Sequence, residues 1–154
     1  MNETSKIDQG RLIIPGLAGL YGRGVPLAYA LIRVVTGASF LPVSIDRLLH
    51  NGATELVAPI SALGFPFPYA WGWAVVLVES VGGILLALGL FTRPAAFAIT
   101  IEMMVIGFGI MIKRGMFWPA HGLEVAFLLG LVTFGFVLGG GGRYSLDNLI
   151  GREF

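Results

Sequence analysis

The sequence predicts an all-α integral membrane four-helix bundle, and three observations carry that prediction. The 154 residues are 56% hydrophobic and only 12% charged, where a soluble domain carries about 25% charge. The mean hydropathy is +0.84. The apolar residues fall into four runs, about 25–49, 69–91, 95–112 and 121–138. A membrane-spanning helix needs about 20 such residues to cross about 30 Å of hydrocarbon.

The same composition excludes several functions. The net charge of +1 says nothing about nucleic acid, but the sequence holds no basic cluster, so no nucleic-acid partner is expected. With no cysteine there is no disulfide, iron–sulfur cluster or thiolate zinc site. No metal site is expected. A haem held by His50 and His121 has little support, because His50 falls in a loop. No phosphate loop, dinucleotide fingerprint or nucleophile triad is present. The N-terminal tail carries Glu3 and Asp8, unlike the basic start of a cleavable signal.

Residues 1–25 read as a cytoplasmic tail. Ile13, Ile14, Leu17 and Leu20 make a short amphipathic piece, while Pro15, Gly16 and Gly19 argue against a long helix. This piece either lies on the membrane surface or belongs to a disordered tail. Residues 26–150 read as one four-span domain. In the first span Arg33, Thr36, Gly37, Phe40, Ser44 and Arg47 recur every three or four residues and share one face. Pro42 should kink this helix, and Asp46 lies near its far end. The loop at 50–68 holds His50, Glu55 and three prolines, and ATELVAPISAL within it suits a short interfacial helix. Tyr69, Trp71 and Trp73 then read as an aromatic belt at the membrane interface, or else as an aromatic slot for a flat ligand.

The second span centres on Glu79. A charge in mid-membrane costs about 2.5 to 3.5 kcal/mol, which makes it a functional hypothesis that needs a partner. Gly82 and Gly83 share its face and would let a neighbouring helix approach closely. The third span carries Glu102 and stops at Lys113 and Arg114. Trp118 and Pro119 precede the fourth, which carries His121 and Glu124, three residues apart and so neighbours on one helix. A glycine run at 139–142 ends it, and Ser145 can cap a short final helix. Basic residues set the orientation. Lys6, Arg11, Arg23, Arg93, Arg143 and Arg152 outnumber Lys113, Arg114 and Arg47 on the other side, which places both termini in the cytoplasm.

The ionisable residues then form two layers, Arg33, Glu79 and Glu102 towards the inside, and Asp46, Arg47, His121 and Glu124 towards the outside. Arg33 is expected to pair with Glu79, or failing that with Glu102 or with something outside the chain. Acids outnumber bases in this set, so a second carboxylate in one low-dielectric space would be driven towards its neutral form. Such a group can exchange a proton or hydrogen-bond a carbonyl. The alternative is that these charges are pins holding the helices together.

These residues resemble the DoxX family, small four-span membrane proteins that include DoxD-like and MauE-like members. Arg33, Gly37, Phe40, Ser44 and Arg47 follow the family's first-span pattern, with Ser44 in place of a glycine and Arg47 in place of a lysine. Glu79-Ser-Val-Gly-Gly, Gly-Leu-Phe-Thr-Arg-Pro-Ala-Ala, His121-Gly-Leu-Glu124 and Gly142-Arg-Tyr-Ser-Leu-Asp147 match it closely, and the likeness covers about 26–150. Glu102 matches no position of the pattern. The resemblance implies a bacterial or archaeal cytoplasmic membrane. It also implies a subunit of, or accessory to, a quinone-linked oxidoreductase complex, with a bound quinone and a membrane or membrane-associated redox partner. Two further readings stay open beside it: a non-enzymatic scaffold or assembly subunit, and a small proton-linked transporter, which four helices would form as a homo-oligomer.

Overall fold

The computed structural model describes residue 14, residues 18–115 and residues 123–152. Among the described residues every regular element is helical. In lipid the backbone has no water to bond, so an apolar chain satisfies its N–H and C=O groups within helices.

Helix α1 spans Ala18–Ser39 and continues as α2, Leu41–Asp46, and a wide π-helical turn, Arg47–Asn51. The described helix thus already includes residues 18–24, ahead of the expected boundary at 25. Gly19, Gly22, Gly24 and Pro26 are poor helix formers, but a weak local propensity yields where the surroundings demand internal hydrogen bonds. The break at Phe40 has a local cause. Pro42 stands in the first turn of α2 and offers no N–H to the carbonyl of Ala38. After the turn come α3, Thr54–Ala62, and α4, Pro68–Leu77, which pack on each other. A second π turn, Val78–Gly82, joins α4 to α5, Gly83–Leu88. Helix α6, Thr92–Val105, ends in a third π turn, Ile106–Ile110, and a 3-10 turn, Met111–Arg114. Helix α7, Leu123–Gly139, and the short α8, Leu146–Ile150, complete the described chain. Ser145 caps α8, its hydroxyl accepting from the Asn148 N–H at 3.1 Å.

Three of the described helical stretches are long and apolar enough to cross a membrane: Gly19–Asn51, Pro68–Leu88 and Thr92–Lys113. The fourth, α7, is apolar over 17 residues, or about 25 Å. The expected start of the fourth span, with Trp118, Pro119 and His121, lies outside the described residues.

The bundle is apolar inside and out. Phe40, Leu86, Ala96, Ile99, Ala126 and Phe136 meet in the core. Leu31, Val35, Phe97, Leu128 and Phe134 stand exposed on the outside. An apolar exterior of this kind suits hydrocarbon and would be an aggregating surface in water. Helices α1 and α5 are held close by glycine. A Cβ on Gly37 would fall 2.5 Å from the Gly83 carbonyl oxygen, and one on Gly83 only 2.8 Å from the Gly37 oxygen. The two backbones therefore touch with no side chain between them. Gly82 faces span three, where a Cβ would meet Ile99 at 3.4 Å.

Candidate functional site

Glu79 stands midway along the Pro68–Leu88 helix and is 5% exposed. Its Oε2 accepts from Nη1 of Arg47 in a mostly buried ion pair. The first π turn opens at Arg47, and the second contains Glu79. The third opens at Ile106, whose N–H donates to the carbonyl of Glu102. A π turn carries one residue more than an α turn and so re-aims the side chains beside it; such turns are frequent at functional sites. Here Arg47 opens one such turn, Glu79 lies within another, and Glu102 stands four residues before the third.

Glu102 lies on α6, which packs against the turn holding Glu79. It is 8% exposed, and neither of its carboxyl oxygens has a hydrogen-bond partner among the described residues. Arg47 and Glu79 lie within electrostatic reach, but the guanidinium is engaged with Glu79. Glu102 also forms part of the wall of a half-open cleft of about 310 Å³. The rest of that wall is apolar. Ile60 comes from α3, Phe65 from the loop after it, Trp71 from α4, Val78 from the second π turn and Ile106 from the third. Phe65 and Trp71 meet edge to face with ring centroids 5.5 Å apart. A buried carboxyl group without partners is costly, so it marks a place where the fold gives up stability.

Arg33 belongs to a different part of the molecule. The expected contact with Glu79 is not made. Arg33 is 2% exposed and donates to the carbonyls of Gly141 and, at 2.8 Å, Tyr144. Tyr29 donates to Gly140 at 2.8 Å, and Arg93 to Val137 and Leu138 at 3.1 Å. These donors gather on the carbonyls at and beyond the C-terminus of α7, where the helix dipole is negative. Beside them Asp147, which is buried, accepts from the N–H groups of Phe91 and Thr92 at 2.8 and 2.9 Å and from the Thr92 hydroxyl at 2.7 Å. It caps α6 from across the bundle. Gly89 has φ +69°, and a Cβ there would strike the Arg33 guanidinium and Ser145. The segment that the resemblance matched as Gly-Leu-Phe-Thr-Arg-Pro and the one ending at Asp147 are thus two halves of one clamp.

The remaining expected residues scatter. Asp46 is exposed and pairs with His50 Nδ1 at 3.1 Å. Glu124 is half-buried in the first turn of α7, a favourable place for a carboxylate on a helix dipole. His121 lies outside the described residues. The two expected layers therefore become one mid-bundle group, Arg47, Glu79 and Glu102, and one terminal clamp built on Arg33. Thr92 and Asp147 were visible only as members of matched motifs, with no role attached, and Phe65 was not singled out from sequence. A buried aspartate in the first turn of a terminal helix carries no pattern that tells a distant cap from a local one.

The fold and the site define a multi-pass α-helical membrane protein with an intramembrane carboxyl group at the wall of an apolar cleft. The chain belongs to the DoxX family, which it matches over residues 28–112, a stretch that includes Arg47, Glu79 and Glu102. A protein of Haemophilus influenzae described as uncharacterized is 38% identical over 132 residues, covering 80% of this chain and 90% of its own. No solved structure matches the chain.

Proposed function

We propose that this protein is a ligand-binding accessory subunit of a quinone-linked oxidoreductase complex in a bacterial or archaeal cytoplasmic membrane. The observation that carries the reading is the Glu102 carboxyl, without a hydrogen-bond partner among the described residues, at the wall of the apolar cleft. Small-molecule sites are mostly apolar with a few placed polar groups, and run from about 300 to 1,000 Å³. A cleft of about 310 Å³ accommodates one ring-sized head group, with a tail left in the lipid. A quinone, when bound, supplies two-electron chemistry coupled to protons. The chain's own residues orient the ring between Phe65, Trp71 and Ile106 and keep water from it. The Glu102 carboxyl oxygens take or give the proton. The Arg47–Glu79 pair fixes the charge next to them. With no cysteine to hold a cluster, the electron donor is assigned to a partner protein or an organic cofactor.

The test is extraction of the protein purified in mild detergent, with quinone quantified per chain. About one quinone per wild-type chain, and much less in a cleft-filling Ala74→Phe variant, is the expected result. Stable copurification with another membrane complex and no quinone would favour a scaffold instead. Solute flux in liposomes would favour a transporter.

A further inference from the structure

Both carboxyl oxygens of Glu102 are buried and lack a hydrogen-bond partner among the described residues, and the neighbouring guanidinium is engaged by Glu79. A carboxyl group offers acceptor oxygen whether or not it carries a proton. Bound to a ligand that only accepts, at least one oxygen stays unmet. Bound to a ligand with an O–H, that oxygen is satisfied, and the hydroxyl oxygen can in turn accept from the acid. The rest of the cleft wall is apolar and can discriminate only by shape. Trp71, Phe65, Ile101 and Val105 are exposed along its rim. In a bilayer that rim would run from the interface at Phe65 and Trp71 into the hydrocarbon at Ile101 and Val105, which gives a lipid-soluble ligand a lateral way in.

We infer that the Glu102 cleft is a lateral site for lipid-soluble ring compounds whose head group donates a hydrogen bond, and that it therefore favours a hydroquinone over the corresponding quinone. The inference rests on the reading of the cleft as a quinone-type ligand site. Its chemical core, the demand for a donor, is separable from redox chemistry. An acceptor left unmet in a buried site is costly, so the preference should be about ten-fold, which corresponds to about 1.4 kcal/mol.

The experiment uses the full chain in lipid nanodiscs and two matched probes, 4-nonylphenol and its methyl ether. The first donates a hydrogen bond and the second only accepts. Binding is read from tryptophan fluorescence at matched mole fractions in the lipid. The phenol should bind about ten-fold more tightly than the ether to the wild type. In Glu102→Leu the two should bind alike, and in Glu102→Gln, which keeps one acceptor and gains a donor, the preference should be intermediate. Ala74→Phe, which fills the cleft, should weaken both. Glu102→Leu replaces an unpartnered group by an apolar one and should fold. If it does not, the Glu102→Gln comparison decides alone.

Equal binding of phenol and ether to the wild type overturns the inference, as does a preference that survives in Glu102→Leu. Competition with the phenol by a decyl-substituted benzoquinone and its hydroquinone, under anaerobic conditions, then addresses the redox reading. A hydroquinone that competes about ten-fold better than its quinone supports both. A phenol preference with no competition from either ring compound leaves the donor site standing and removes the quinone-linked function.

Discussion

Arg47 and Glu79 form a buried pair on facing elements, and removing one partner strands the other. Breaking such a pair typically costs about 3 to 5 kcal/mol. Arg47→Met and Glu79→Gln should each lower the thermal midpoint of the detergent-solubilised protein. The double variant should lose less than the sum of the two. Arg33 shares no partner with Glu79, so Arg33→Met combined with Glu79→Gln should be additive. The opposite pattern of additivity would place the wrong arginine at the site. Arg33→Lys should fail to restore stability, because one ammonium on a flexible stem does not reproduce a planar fork that reaches two carbonyls. If it restores the midpoint in full, the forked geometry is immaterial.

At the level of elements, glycines differ by what faces them. A Cβ on Gly37 or Gly83 meets backbone, which cannot step aside, whereas one on Gly130 meets the flexible end of Met104. Gly135 has no heavy atom of the described residues within 4 Å of that position. Overpacking a tight contact costs about 1 to 3 kcal/mol. Alanine should therefore be harmful at Gly37 and Gly83, milder at Gly130, and neutral to stabilising by about 0.5 to 1 kcal/mol at Gly135. Thermal melts of the four single variants check the order, and equal effects at Gly83 and Gly135 would mean that α1 and α5 do not touch. Asp147→Ala removes the cap of α6. A lost cap costs about 0.5 to 2 kcal/mol, and hydrogen exchange should rise first at the start of α6 if the cap acts there.

For the whole molecule, the clamp has a topological consequence. Tyr29 and Arg33 bond to residues 140–144, so the first helix and the C-terminal segment meet at one end of the bundle. Basic residues on that end include Arg93, Arg143 and Arg152, and such residues favour the cytoplasmic side. Reporter fusions after residue 154 and before residue 1 should both read cytoplasmic. A periplasmic signal at the C-terminus would reverse the proposed orientation and place an odd number of crossings between the two ends.

Hydropathy alone determined the fold class here, because lipid allows few backbone solutions and apolar runs of spanning length have one helical answer. That Gly83 shares a helical face with Glu79 was legible, because helical period is a local property, but which helix would approach that face was not. Which arginine meets Glu79 was not legible. Arg33 and Arg47 lie on the same face of one helix, and the choice between them follows from how the helices pack and from the π turns at Arg47 and Glu79, neither of which composition records. Glu102 was visible as a mid-membrane acid, but its want of a partner and its place on the cleft wall arise only when α3, α4 and α6 converge. Charge and depth can be read along a chain, whereas partnership is a property of the space between helices.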